Sequence, residues 1–287
     1  MHLGLAQGLV PENPDEMTAA RAHAIAALGV TRIVTHFEVP PSEIAGDRGR
    51  AIAATLAEAG IRIVQCAGLA PNLVSTDAAI RAEWVGSLAE LLTAARSLDA
   101  EMMLTGCGSH HPTFSYGPSP ENHTQATRDR LVASLRELAA RAEDVGIPVA
   151  MECHVLTTLD SAEHVREIFD AVDSPWIGAN FDPVNFLGSL QDVYRSGEVA
   201  RHVASTVGTR LMPAAHIKDV VVEPDLVVKI AEAPPGTGIM DLDAVMEACA
   251  TLPPEAALVV EHFGPEESAV ALAHVSELAR RHGLLAG

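Results

Sequence analysis

The chain has 287 residues, 48% of them hydrophobic and 3% aromatic, which is ample for one large core. Its 38 acidic against 19 basic residues give a formal net charge of −19, a balance that repels polyanions and argues against nucleic acid and acidic membranes as partners. Four cysteines sit singly without a CxxC pair, no apolar run reaches membrane-spanning length and no basic leader opens the chain, so the expectation is a reduced, soluble, cytoplasmic protein.

Short apolar runs alternate with longer Ala-rich amphipathic segments from end to end. The first strand is predicted at Leu3–Leu9, followed by a helix over Pro14–Leu28 that Asn13-Pro14 starts and Gly29 closes. Then come strand Arg32–Glu38 with helix Ser42–Glu58, strand Arg62–Ala67 with helix Thr76–Ser97, and strand Met102–Gly106 with helix Ser119–Glu143. The second half repeats the pattern: Val149–Val155 with Ser161–Ala171, Trp176–Phe181 with Ser189–Thr206, Leu211–Ile217 with Asp241–Ala250, and Leu258–Phe263 with Pro265–His282. Gly60, Gly146 and Gly283 are further stop signals. Eight strand–helix units predict a (β/α)8 TIM barrel, read as a single domain over residues 1–287. An open doubly wound sheet is disfavoured because no Gly-rich dinucleotide fingerprint follows the first strand. The longest irregular stretches, Gly106–Ser119 and Val220–Gly238, would lie at the C-terminal rim, where long loops are often functional.

Barrel active sites lie at the C-terminal ends of the strands, so the polar residues there are the candidates. The fifth strand carries Glu152 and His154, two residues apart and hence on one face of an otherwise apolar run. The sixth ends on Asp182, the seventh gives His216 with Lys218 on the same face, and the eighth gives Glu261. Three carboxylates and one imidazole on four consecutive strands would repel one another without a cation. They form a mixed oxygen and nitrogen set suited to Mn²⁺, Mg²⁺, Co²⁺, Fe²⁺ or Zn²⁺.

Glu152, the run Asn180-Phe-Asp-Pro-Val-Asn185, His216-Ile-Lys-Asp219, Pro235-Gly-Thr-Gly-Ile-Met-Asp241 and Val260-Glu-His262 together resemble the xylose isomerase-like sugar phosphate isomerase/epimerase superfamily. The resemblance implies a TIM barrel in which Glu152, Asp182, His216 and Glu261 bind one divalent metal, Mn²⁺ foremost, and in which Glu152 and Glu261 double as acid/base groups. The implied reaction removes a proton next to a carbonyl of a small carbohydrate, through an enediolate whose charge the metal spreads. Asn185 stands where ketose 3-epimerases of the superfamily carry His, which puts simple ketose epimerisation in doubt.

Other residues extend the site. His154 is either a base or a bystander. A histidine near the equivalent glutamate also occurs in the larger subunit of C-glycoside deglycosylases, which opens a second reading: a lyase or dehydratase on 3-oxo-sugars or 3-oxo-glycosides. That branch would bring an oligomer with a small second subunit. A third reading is a non-catalytic scaffold subunit that keeps the metal. Lys218 either neutralises an oxyanion or phosphate, or pairs with Asp219. Asn185, His36 and His110 are candidate substrate contacts, His110 from the loop Gly108-Ser-His-His-Pro-Thr-Phe-Ser-Tyr116, and His36 and Glu38 either line the rim or are consumed there in ion pairs.

Overall fold

A computed structural model describes residues 1–285. Eight parallel strands close into a barrel: β1 (His2–Ala6), β2 (Arg32–His36), β3 (Arg62–Ala67), β4 (Met102–Gly106), β5 (Val149–Glu152), β6 (Ile177–Phe181), β7 (Leu211–His216) and, after a hairpin of β8 (Asp219–Val222) and β9 (Ile230–Ala233), β10 (Ala257–Val260). The predicted strands are all present, and most end one to three residues early because the chain turns into a rim loop. The outer helices are α1 (Ala19–Ala26), α2 (Pro41–Ile44), α3 (Asp47–Glu58), α4 (Ala78–Ser97), α5 (Gln125–Val145), α6 (Ala162–Val172), α7 (Leu190–Tyr194), α8 (Ser196–Val207), α9 (Leu242–Cys249) and α10 (Pro265–Arg281). No helix among the described residues is long and apolar enough to cross a membrane.

Strand alternation produces two cores. Inward-facing Ala6, Val34, Met102, Leu104, Ala150, Met212, Ala214, Ala257 and Val259 fill the barrel as one cluster, while the outward positions pack against the helices as another. Continuing the inward positions by two residues beyond Ala150, Ala214 and Val259 reaches Glu152, His216 and Glu261. The apolar floor thus fixes where the polar side chains sit. Between β2 and β3 the register slips after Ile33, placing Gln65 opposite Val34 and carrying a polar amide onto the inner face.

The stretch Val220–Gly238, expected to be irregular, is largely ordered. Antiparallel pairing of Asp219–Val222 with Ile230–Ala233 builds the β8–β9 hairpin, and the chain then turns back through Pro234–Met240. Asp219 fixes that return. Its Oδ2 accepts the backbone N–H groups of Gly236 at 3.1 Å and Gly238 at 2.9 Å, and its Oδ1 those of Met240 at 2.9 Å and Val220 at 2.8 Å. Gly238 is required there, because a Cβ would strike the Asp219 carboxylate. Asp219→Ala would leave these N–H groups unpaired, and hydrogen bonds to a charged group contribute about 1.5–3 kcal/mol each. Gly236 and Gly238 are exposed enough to turn to water, so urea denaturation should show mainly the loss of the bonds to buried Val220 and Met240, about 3 kcal/mol, with the far-ultraviolet circular dichroism of the native state unchanged.

Candidate active site

The four predicted strand-end residues converge. One ligand atom from each of Glu152, Asp182, His216 and Glu261 lies within 4.8 Å of the others. Asp182, His216 and Glu261 are 1%, 0% and 3% exposed, whereas Glu152 is only partly buried. Donors bind such ions at about 2.0–2.4 Å, so two donors across one ion stand about 4–5 Å apart, and the spacing fits.

Neighbouring side chains orient the set. His216 Nε2 lies 2.9 Å from Gln65 Oε1, and Gln65 Nε2 in turn donates to Asn180 Oδ1 at 2.9 Å. With Nε2 donating to the amide oxygen, the Nδ1 lone pair of neutral His216 faces Glu261 Oε1 at 2.8 Å and Asp182 Oδ2 at 3.9 Å. Two lone pairs at 2.8 Å repel unless a proton or a cation lies between them. Burial pulls the His216 pKa down, but Glu261 and Asp182 outweigh it and the result is raised.

Lys218 reaches into the same centre, 3% exposed, with Nζ 2.8 Å from both Asp182 Oδ2 and Glu261 Oε1. Of the alternatives weighed for this lysine, pairing with Asp219 is not made, because that carboxylate is committed to the return loop. Burial would push Glu261 up, yet His216 and Lys218 hold it well below the usual carboxylate range. Asp182 is the opposite case: burial outweighs Lys218 and its pKa is raised. Among the described residues Asp182 Oδ1 has no hydrogen-bond partner, and Oδ2 meets the Lys218 ammonium as an ion pair rather than a well-aligned hydrogen bond. This carboxylate has the most to gain from a cation. Three carboxylates against one ammonium leave two negative charges, matched by one divalent ion. The four residues could hold such an ion.

Two lobes open above the cluster and share Glu152 and Tyr116. One, of about 360 Å³, includes Gln7, Glu12, His36 and Glu38; the other, of about 320 Å³, includes Phe114, His154, Asn185, Lys218, Glu232 and His262. Both fall within the range of small-molecule sites. Tyr116 comes down from the β4–α5 loop and donates its hydroxyl to Glu152 Oε2 at 2.6 Å, over Gly106, where a Cβ would collide with it. His154 lies in the turn after β5. Its Nδ1 accepts the Leu156 N–H at 3.1 Å, so the neutral ring carries its proton on Nε2, and burial keeps its pKa below the usual value. His36 and Glu38 line the first lobe and make no ion pair among the described residues, where His36 Nδ1 is also buried without a partner.

His110 is not brought to the site. Its Nε2 contacts Thr127 Oγ1 at 3.1 Å and Arg130 Nη2 at 3.4 Å, because buried Asn122 bonds Ser109, Gly117 and Leu156 and folds this half of the loop onto α5. Gln65 and Glu232 were absent from the sequence reading, and Tyr116 and His262 stood in it only as the ends of a loop and a motif, with no role of their own. His262, next to Glu261, bonds Glu232 of β9 through Nδ1 at 3.0 Å, and its N–H donates to Gln7 Oε1 at 3.1 Å. A glutamine inside the apolar strand Arg62–Ala67 was the one signal available for Gln65; the others depend on loop paths.

A family model described as xylose isomerase-like TIM barrel matches residues 22–281. The chain belongs to that family. Among solved structures, a xylose isomerase-like TIM barrel protein from Mycobacterium smegmatis in complex with magnesium is 18% identical, covering 99% of this chain and 98% of that one, with a TM-score of 0.72. D-psicose 3-epimerase from Clostridium cellulolyticum H10, solved with D-tagatose, is 18% identical over 97% and 99%, at 0.71. The 3-keto-D-glucoside 4-epimerase from E. coli is 15% identical over 98% and 99%, at 0.70. At these identities the likeness is one of fold. Among curated proteins, none matches the sequence.

Within this family barrel, Lys218 tests the charge balance. Removing one partner of a buried pair costs about 3–5 kcal/mol. Lys218→Met should lose that amount in urea denaturation with chelator present and regain part of it when Mn²⁺ is added.

Proposed function

We propose that the protein is a sugar isomerase or epimerase that removes a proton next to a carbonyl and depends on one divalent ion, Mn²⁺ foremost, held by Glu152, Asp182, His216 and Glu261. The observation that carries the reading is the asymmetry of the cluster. Asp182 and His216 are sealed in the barrel, while Glu152 faces both lobes. A divalent cation supplies Lewis-acid polarisation of the carbonyl and its neighbouring hydroxyl.

The side chains then divide the work. Glu152 takes the proton from the carbon beside the carbonyl, and the electron pair moves onto the carbonyl oxygen. The Tyr116 hydroxyl holds Glu152 Oε2 and so fixes the carboxylate's direction. Lys218 adds positive charge where the oxygen becomes negative. In an isomerisation Glu152 returns the proton to the neighbouring carbon while the hydroxyl proton there passes to the former carbonyl oxygen; in an epimerisation Glu152 keeps the proton it took and a second proton, carried by Glu261, goes to the opposite face of the same carbon. His154 donates through Nε2 to a substrate oxygen rather than acting as the base, since its other nitrogen already accepts a backbone N–H. Asn185 and His36 contact hydroxyls in their respective lobes. All four cysteines are buried free thiols, which supports placement in the reducing cytoplasm.

A second reading, elimination from a 3-oxo-glycoside, is supported by the room on both sides of Glu152. A cavity of about 150 Å³ accepts one benzene ring, so each lobe has space for a ring of its own. Proton exchange into sugar from D₂O without release of a fragment favours isomerisation; release of an aglycone favours elimination.

Glu152→Gln should slow exchange at the carbon next to the carbonyl by about 10²–10⁴-fold, the contribution of a positioned base. An unchanged rate would remove Glu152 from that role. Asp182→Ala should abolish bound metal in elemental analysis, and unchanged stoichiometry would refute the ligand set.

A further inference from the structure

We infer that the substrate is uncharged, an unphosphorylated sugar or glycoside without a carboxylate. This inference rests on the sugar-directed reading above and assigns its substrate class.

Barrels of this kind commonly hold phosphate with the loops after the seventh and eighth barrel strands. Here each of those places is filled by the chain's own carboxylates. After β7, the Gly236, Gly238 and Met240 N–H groups form the concave array that would cradle an anion, and Asp219 already occupies it. After β10, the first turn of α10 carries Glu266 and Glu267, and Glu267 Oε2 lies 3.4 Å from the Gly264 nitrogen whose N–H it accepts. The positive end of that helix is thus spent on internal acids.

The lobes offer no substitute. Among the described residues lining them, the one lysine or arginine is Lys218, and its ammonium is shared between Asp182 and Glu261. Lys229, between β8 and β9, is paired with Glu223 at 2.7 Å, and Arg48, in the first turn of α3, with Asp15 at 2.6 Å. Exposed Glu12 and Glu38, without ion-pair partners among the described residues, line one lobe, and Glu232 lines the other. With a chain charge of −19, the field at the mouth opposes any anion. The remaining polar groups, Gln7, His36, His154 and Asn185, suit hydroxyls, and Phe114 and Tyr116 offer apolar faces for a ring.

The test uses wild-type protein loaded with Mn²⁺, with D-psicose and D-fructose as neutral probes and D-fructose 6-phosphate as the charged one. Deuterium uptake from D₂O and ligand-observed NMR binding are measured in parallel. The neutral sugars should bind and exchange, and the phosphorylated sugar should exchange at least roughly 100-fold more slowly, the effect of a dianion a few ångströms from an unpaired carboxylate. Added salt should raise the phosphorylated rate and leave the neutral rates unchanged. The double variant Glu12→Gln, Glu38→Gln should narrow the gap. Preferred binding or faster exchange of the phosphorylated sugar overturns the inference and leaves the proton-transfer reading standing. Neutral sugars that bind without exchanging remove the proton-transfer reading and keep the substrate class. Binding of neither kind overturns both.

Discussion

The ammonium of Lys218, 2.8 Å from Asp182 and from Glu261, is the contact on which the centre of the barrel depends. Glu152 on β5 and Glu261 after β10 point inward because Ala150 and Val259, two residues below them, belong to the apolar floor, and Asp182 after β6 stands two residues above buried Asn180. Nothing in that floor can compensate them. Lys218 removes one charge and leaves two, and Gln65 fixes His216 so that its second nitrogen faces the remaining carboxylates. The arrangement could hold a divalent cation, and Asp182 Oδ1 has no hydrogen-bond partner among the described residues.

Rim loops convert this centre into a shaped site. Tyr116 crosses above Gly106 to reach Glu152 and divides the mouth, so the carboxylate proposed to move the proton is shared by two chambers. The β8–β9 hairpin brings Glu232 to His262, beside Glu261. Gln7 and His262 both adopt positive φ, 62° and 69°, and are joined by a hydrogen bond across the ends of β1 and β10. Such backbone strain is tolerated where surrounding contacts over-determine it. Asp219 of β8 and Glu267 of α10 accept backbone N–H groups of the segments after β7 and β10.

Much of this was legible because two rules act together. Side chains alternate along a strand, and barrel chemistry sits at strand C-termini. Those rules alone bring Glu152, Asp182, His216 and Glu261 to one rim, and the glycines expected to stop helices do adopt positive φ, as at Gly146 with 75°. What escaped depends on breaks in periodicity. Gln65 is turned inward by a register slip, and β8–β9 has too little alternation for a strand signal, with Pro224-Asp225 and Pro234-Pro235 around it. In the loop 108–116, His110 and Tyr116 are equally plausible site residues by composition. Asn122, fourteen residues beyond Gly108 and fully buried, sends one against α5 and the other to Glu152.

The most direct measurement is anomalous scattering from a crystal soaked in Mn²⁺. The account predicts one strong peak within about 2.4 Å of a donor atom from each of Glu152, Asp182, His216 and Glu261. A peak elsewhere, or no peak with Lys218 still seated between Asp182 and Glu261, would contradict it.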